Sequence, residues 1–453
     1  MSGVRNRSKT NSIKASLLLG VAGLFATQAA MAANLEGEIA GLLDSHPMIQ
    51  AAKKGVNSAQ EGIGTARAGY LPTVRVTGDV GPNFASNPDR ETTYGQHFQR
   101  NGDSAGLTIT QHLYDGNATG SAVDAASYTK DVSAANLRMV RQNTILEGIN
   151  AYMDVLRQTE LLALAQENEK RLQTQLNLED ERVARGSGMA VDVLSAKHRL
   201  QLAKERRVAF EGTTQQALDR YVQVFGHEPS LKGAPPPQPP LDLIPKSLDE
   251  TVKAANDENP SVEVAKTTVK VTNERIATAE SGYMPTVDLV GKANYSSYEN
   301  GSVGMRRDWA VLVQMNWELF SGFRTQSMVA AASLDHAASQ DNSSQANRKA
   351  TEAVRLAWSQ LSTAKERLKL LDNAVNLAHE VWEARKKMRE AGKETVINVL
   401  DAESDITNAQ INYVTASYDL RTAAYQLIHD VGRLESENLD RRAPSNAPAA
   451  KAQ

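Results

Sequence analysis

Residues 69–74 read Gly-Tyr-Leu-Pro-Thr-Val, and residues 282–287 read Gly-Tyr-Met-Pro-Thr-Val. The likeness extends outward from this hexapeptide. Asp44–Gly78 aligns without a gap on Asp257–Gly291, a constant offset of 213, with 15 identities in 35 positions. A second offset, of 206, carries Leu113, Gly116, Gly186, Val193-Leu194, Ala196 and Gly226 onto Leu319, Gly322, Gly392, Val399-Leu400, Ala402 and Gly432. The chain is one structural unit written twice. The seven-residue difference between the offsets falls between two strand-like stretches, where an exposed connection tolerates a change of length.

The hydrophobic period changes at the hexapeptide. Before it, Glu36–Arg67 is rich in helix formers, with Pro47 marking a start or a kink. After it, Val74, Val76, Gly78 and Val80 alternate with Thr73, Arg75, Thr77 and Asp79, and Leu107 and Ile109 alternate with Thr108 and Thr110. In the second copy Val287, Leu289, Gly291 and Ala293 alternate with Asp288, Lys292 and Asn294, with one blemish at Val290. Trp309, Val311, Val313, Met315, Trp317 and Leu319 form a long apolar face. Strands of about 9–11 residues with one apolar and one polar face fit a transmembrane barrel wall, with a soluble sandwich with one wet face as the lesser alternative. Tyr70, Tyr114, Tyr283, Trp317 and Phe320 stand near the strand ends, where interfacial aromatics belong.

The helical stretches favour the barrel. Gly120–Arg185 contains no proline and only Gly148 before its end, enough for a helix of about 100 Å. Ile145, Ile149, Tyr152 and Leu156, and in the second copy Val354, Trp358, Leu361, Leu368 and Val375, recur at coiled-coil spacing. Asn34–Arg67 and Val193–Phe225, stacked end to end, match the long helix. Ser247–Glu280 and Val399–Val431 do the same beside Arg324–Ala391. The expected fold is therefore mainly α with β: two helical hairpins per chain, each bearing a strand pair at one end. Four strands cannot close a barrel, and open edges are not tolerated in lipid. Three copies would supply a 12-stranded transmembrane β-barrel and a trimeric 12-helix α-barrel tunnel.

Residues 1–32 have the layout of a secretory signal: Arg5, Arg7, Lys9 and Lys14 before the apolar run Ala15–Ala26, then Ala30-Met31-Ala32. Without them the chain carries 46 Lys+Arg against 53 Asp+Glu, a net of −7 that argues against nucleic acid as a partner. The absence of cysteine excludes disulfides, thiolate metal sites and a lipid on an N-terminal cysteine. The domain reading is signal peptide 1–32, repeat one 33–232, proline-rich linker 233–246 containing Ala234–Pro240, repeat two 247–433, and a disordered tail 434–453. Asn83–Asp103 reads as an extracellular loop. The eight histidines are scattered, and no Walker loop, His-Glu-x-x-His or Gly-x-Ser-x-Gly occurs, so neither an enzyme nor a cofactor is expected.

Two further segments stand out as turns between long helices: 185–196, Arg-Gly-Ser-Gly-Met-Ala-Val-Asp-Val-Leu-Ser-Ala, and 391–402, Ala-Gly-Lys-Glu-Thr-Val-Ile-Asn-Val-Leu-Asp-Ala. Gly186, Gly188 and Gly392 would permit the positive φ that ends a helix sharply. Asp192 and Asn398 fall in the first turn of the returning helix, where a polar side chain can cap free N–H groups. Ser187, Met189, Val191, Lys393, Val396, Val399 and Leu400 either expose a docking surface or pack a coiled coil.

With Gly-Tyr-x-Pro before each strand pair, Leu-Tyr-Asp-Gly (113–116) and Leu-Phe-Ser-Gly (319–322) after it, and these two turns, the sequence resembles the TolC-like outer-membrane efflux and secretion channels from about Leu35 to Leu434. The resemblance implies a homotrimeric duct in the outer membrane, surrounded by its lipid, with a helical tunnel crossing the periplasm. It implies docking of the tips to a periplasmic adaptor (membrane fusion protein) and an inner-membrane ABC or RND-type transporter, and tips that close and open. In that family acidic tip residues ring the lumen. Asp192 and Asp401 match such positions, whereas Asn398 replaces an expected Asp and Glu394 stands where a basic gate residue is common, which puts the usual salt-bridge latch in doubt. No metal cofactor is implied, but three Asp401 carboxylates brought together would repel one another and favour cation block or pH-dependent closure. The missing N-terminal cysteine leans toward type I secretion or a multipurpose channel. The alternative is a periplasmic coiled-coil scaffold without a pore.

Overall fold

The computed structural model describes residues 35–85, 98–231, 234–299 and 303–439. The expected signal peptide, 1–32, lies outside them. The first copy comprises α1 (Leu35–Ser45), α2 (Pro47–Arg67), β1 (Thr73–Ala85), β2 (Phe98–Tyr114), α3 (Ala118–Ala184) and α4 (Ala190–Phe225). The second comprises α5 (Leu248–Glu258), α6 (Pro260–Glu280), β3 (Thr286–Ser297), β4 (Met305–Asn316), α7 (Arg324–Glu390) and α8 (Val396–Val431), followed by a single turn, α9 (Ser436–Leu439). Helix lengths repeat between the copies as 11, 21, 67 and 36 residues.

The leading helix of each copy breaks at a proline. His46 (φ −64°, ψ 125°) and Asn259 (φ −68°, ψ 125°) are extended because the following ring disfavours helical geometry. Pro47 and Pro260 then open α2 and α6, where a missing N–H costs nothing. The break at Pro260 corrects the expectation of one helix over 247–280.

Beside the sheet the helices stand in the order α2, α3, α6, α7, and toward the far end in the order α4, α3, α8, α7. Each 67-residue helix, about 100 Å long, thus runs beside two shorter ones stacked end to end. The main core lies at mid-height. Leu35, Ile39 and Leu42 of α1 pack there on Ile149 and Tyr152 of α3, Tyr221 and Phe225 of α4, and Tyr425 and Ile428 of α8. Gly148 admits α1: a Cβ there would lie 2.8 Å from Ile39 Cδ1 and 2.8 Å from Leu42 Cδ2. The proline-rich segment crosses at this level, its Gln238 carbonyl accepting from Tyr425 Oη at 3.2 Å. Leu434 is 1% exposed in the same core and α9 follows, so the tail expected to be disordered from 434 is ordered to 439; residues 440–453 lie outside the described residues.

The four strands form one antiparallel sheet in the order β1-β2-β3-β4, in which β1 and β4 are edges. Its register aligns the apolar sets into rows: Val74, Ile109, Gly291 and Val311 in one, Val76, Leu107, Ala293 and Trp309 in the next. Val76, Trp309, Val311, Val313 and Met315 are 65–81% exposed, an uncovered apolar wall. The opposite face carries Arg75, Thr77, Lys292, Asn294 and Asp308, and also buried Val290, paired with Thr110 and Leu312.

Strand boundaries differ from expectation. Pairing continues from Gly81↔Gly102 to Ala85↔Phe98, because backbone ladders do not require alternating side chains, so both ends of the Asn83–Asp103 stretch are strand; its centre, 86–97, lies outside the described residues. In contrast, β4 stops at Asn316, and Trp317 and Leu319 follow it. The repeated Gly-Tyr-x-Pro glycine has a packing role. A Cβ on Gly69 would meet Thr119 Oγ1 at 2.8 Å, and one on Gly282 would meet Thr325 Cγ2 at 3.1 Å, at the foot of each long helix.

Candidate functional site at the helix-turn tips

Two five-residue turns end the hairpins farthest from the sheet, 185–189 between α3 and α4 and 391–395 between α7 and α8. Gly186 (φ 75°) and Gly392 (φ 72°) take the left-handed conformation. Ser187 N–H donates to the Arg182 carbonyl and Gly186 N–H to that of Val183, both at 3.0 Å; Lys393 and Gly392 repeat this on Met388 and Arg389. These paired bonds satisfy carbonyls that a helix end leaves open. Gly188 does not share the positive φ expected of it. It is needed instead for close approach, since a Cβ would sit 3.0 Å from the Val183 backbone nitrogen.

Capping also differs from expectation. Thr395 is the residue that caps α8, its hydroxyl accepting from Asn398 N–H at 3.4 Å, while Met189 precedes α4 without a side-chain cap. The Asn398 amide turns back to donate to the Glu394 carboxylate, which also accepts from Thr395 N–H at 3.0 Å. The Asn398 hydrogen bond, then that from Thr395, holds Glu394 below the usual glutamate range. Asp192 is 4% exposed against its own protomer and does not cap.

Leu172 and Leu176 of α3, Val193, Ala196 and Leu200 of α4, and Val396 and Leu400 of α8 form a separate tip core. Val396 and Leu400 are each 1% exposed and Val399 is 7% exposed, which corrects their assignment to an exposed docking surface. The apolar side chains that do face outward are Met189, Val191, Leu194 and Ile397; Gly186, Ser187, Gly392 and Lys393 are exposed beside them.

Ion pairs tie the two hairpins together. Asp401 pairs with Arg199 across α8 and α4, so one positive group already faces that carboxylate. Glu179, fully buried on α3, accepts from Arg182 at 2.9 Å, from Gln175 at 3.0 Å and from Arg389 of α7 at 3.3 Å. Arg389 also donates to the Glu394 carbonyl, and Arg385 to that of Asn398 at 3.2 Å, so α7 grips the turn it enters. Deeper in, Glu403 pairs with Arg171 at 3.3 Å; burial pushes its carboxyl up, and Arg171 opposes the shift. The structure thus joins Glu394 with Asn398 and Asp401 with Arg199, while Asp192 stays apart. Glu179, Arg389, Arg199 and Glu403 were not singled out from sequence. A signal existed: Glu179 follows Leu172 and Leu176 at seam spacing, and Glu403 follows Val396 and Leu400, so each puts a charge where apolar residues belong.

The family model described as outer membrane efflux protein matches residues 39–227 and 251–433, one segment per repeat. The chain belongs to this family. The outer membrane efflux protein BepC of Brucella suis biovar 1 (strain 1330) is 25% identical over 413 residues, covering 91% of this chain and 88% of BepC. The alkaline protease secretion protein AprF of Pseudomonas aeruginosa is 24% identical over 419 residues, covering 88% and 84%. Among solved structures, the outer membrane protein VceC of Vibrio cholerae superposes with a TM-score of 0.75 at 16% identity over 88% of this chain and 96% of VceC. This efflux-family chain is accordingly an outer-membrane, non-enzymatic transport protein with a two-repeat fold whose helices form the periplasmic part.

Proposed function

We propose that three copies of this chain form the exit duct of a tripartite type I secretion or efflux system, docked at its tips to a periplasmic adaptor and an inner-membrane ABC or RND-type transporter. The observation that carries this reading is the four-stranded sheet with an uncovered apolar wall and two unpaired edges. In lipid those edges need partners, and pairing β4 of one copy with β1 of the next meets the requirement without a new element. The long helices support the same assembly. Leu356, Leu370, Leu377, Val381 and Met388 of α7 are 45–62% exposed and follow heptad steps, a seam that a neighbouring copy would cover.

A closed tip is consistent with Glu179–Arg389 and Arg199–Asp401 holding the two hairpins together, in place of the latch that Asn398 and Glu394 cannot supply. Opening would separate them. Met189, Val191, Leu194 and Ile397 offer the adaptor exposed apolar contacts beside the turn glycines. Single-channel conductance of the purified mature protein in a planar bilayer tests the duct. Small openings that grow when the tip ion pairs are removed are expected; a folded trimer that never conducts, even with both pairs removed, would count against it.

A further inference from the structure

The outward wall of the sheet carries one feature that a passive lipid-facing surface does not need. Small residues at Ala105, Gly106 and Ala293 leave a shallow apolar groove of ≈ 440 Å³ between the larger side chains of Val76, Leu107, Tyr295 and Trp309. Arg307 stands at its rim. Its register partner is Tyr295, and it lies two residues from Trp309, so its side chain shares the outward face. Arg307 is exposed and forms no ion pair with any described residue. Its neighbour Arg306, on the inward face, pairs with Asp308 at 3.6 Å. A guanidinium on a lipid-facing wall is costly at the bilayer centre and nearly free at headgroup level. Arg307 lies eight residues from Met315, about 27 Å along the strand; at a barrel tilt of about 40° this rises about 20 Å, which places it toward the edge of an apolar band ~25 Å tall. That edge is the one away from the helices. The other outward charge, Asp103, falls one row farther out, opposite Val80 and Ser297 on the β1 to β3 side.

We propose that this groove binds one phosphate-bearing lipid of the outer leaflet, an acyl chain lying across Val76, Leu107, Ala293 and Trp309 and the phosphate paired with Arg307. The inference rests on the barrel reading above. A planar guanidinium suits phosphate because it can donate two parallel hydrogen bonds. The small residues matter because they let the chain lie against the backbone.

The test is native mass spectrometry of the detergent-purified mature protein given a bis-phosphorylated lipid A or the same lipid with both phosphates removed. Wild type should retain one lipid per chain and prefer the phosphorylated form by about tenfold. Arg307→Ala should lose that preference while Arg306→Ala keeps it, and Ala293→Trp, which fills the groove, should release both lipids from an intact trimer. Equal preference in wild type and Arg307→Ala, or undiminished retention by Ala293→Trp, would overturn the site. A protein that purifies only as a water-soluble monomer would instead refute the barrel on which the site depends.

Discussion

Replacing Glu179 with Gln should loosen the tip. Its carboxylate is fully buried and faces Arg182 and Arg389, whose side chains are 43% and 24% exposed. Removing one partner of a fully buried ion pair typically costs 3–5 kcal/mol, and partial solvation of both arginines reduces this to about 2 kcal/mol. Arg182 lies on the same helix as Glu179, at 2.9 Å, so only the share carried by Arg389 of α7, at 3.3 Å, about half, falls on the contact between hairpins. If opening breaks the contact, the closed state loses about 1 kcal/mol relative to the open one, an increase of roughly fivefold in the open-to-closed ratio. Planar-bilayer recordings read that ratio as open probability. The double variant Glu179→Gln/Arg389→Gln should fall short of the sum of the two single changes, since they share the Glu179–Arg389 pair. Wild-type open probability in Glu179→Gln, with the trimer intact, would refute the assignment of this pair to closure.

Other consequences follow from the same geometry. Arg199→Gln should make conductance more sensitive to block by divalent cations, because it frees the Asp401 carboxylate, and Asp401→Ala should abolish that sensitivity; dose–response curves in bilayers separate the two. Gly392→Ala should lower stability by about 1–2 kcal/mol through its φ of 72° alone, as no atom lies within 4 Å of the added Cβ, whereas Gly392→Asn should be milder; thermal unfolding compares them. Arg433 hydrogen-bonds both oxygens of Glu258 and holds its carboxyl below the usual glutamate range. That stability is present above the ordinary glutamate pKa and is lost as pH falls through the depressed value. The melting difference between wild type and Arg433→Gln should therefore shrink in acid, leaving a remainder to which the Arg433–Leu243 carbonyl bond contributes.

Much of this architecture is legible because the chain repeats itself. Two copies of Gly-Tyr-x-Pro, two strand pairs and two glycine-ended long helices set the element order, and equal lengths imply stacking. Local signals are weaker where tertiary partners decide. Val396 and Leu400 sit in a turn sequence that also suits an exposed surface, and only the approach of α3 and α4 buries them. Asn398 is a good capping residue by type, but Thr395, three residues earlier, occupies the capping position and Glu394 captures the amide. Asp401 reads as a lone carboxylate because Arg199 is 202 residues away in sequence. The strand ends at 81–85 and 98–102 were obscured because a ladder can continue through residues with no apolar alternation.

The central claim is that sheets from three copies close on one another through their free edges. The chain has no cysteine, so single cysteines placed along β1 and β4 report only designed contacts. A scan of such pairs, oxidised in intact outer membranes and resolved on denaturing gels, should find a register at which three chains become one covalent ring, disappearing on reduction. Only monomers across the whole scan, or a ladder of open-ended oligomers beyond three, would contradict a closed trimeric barrel.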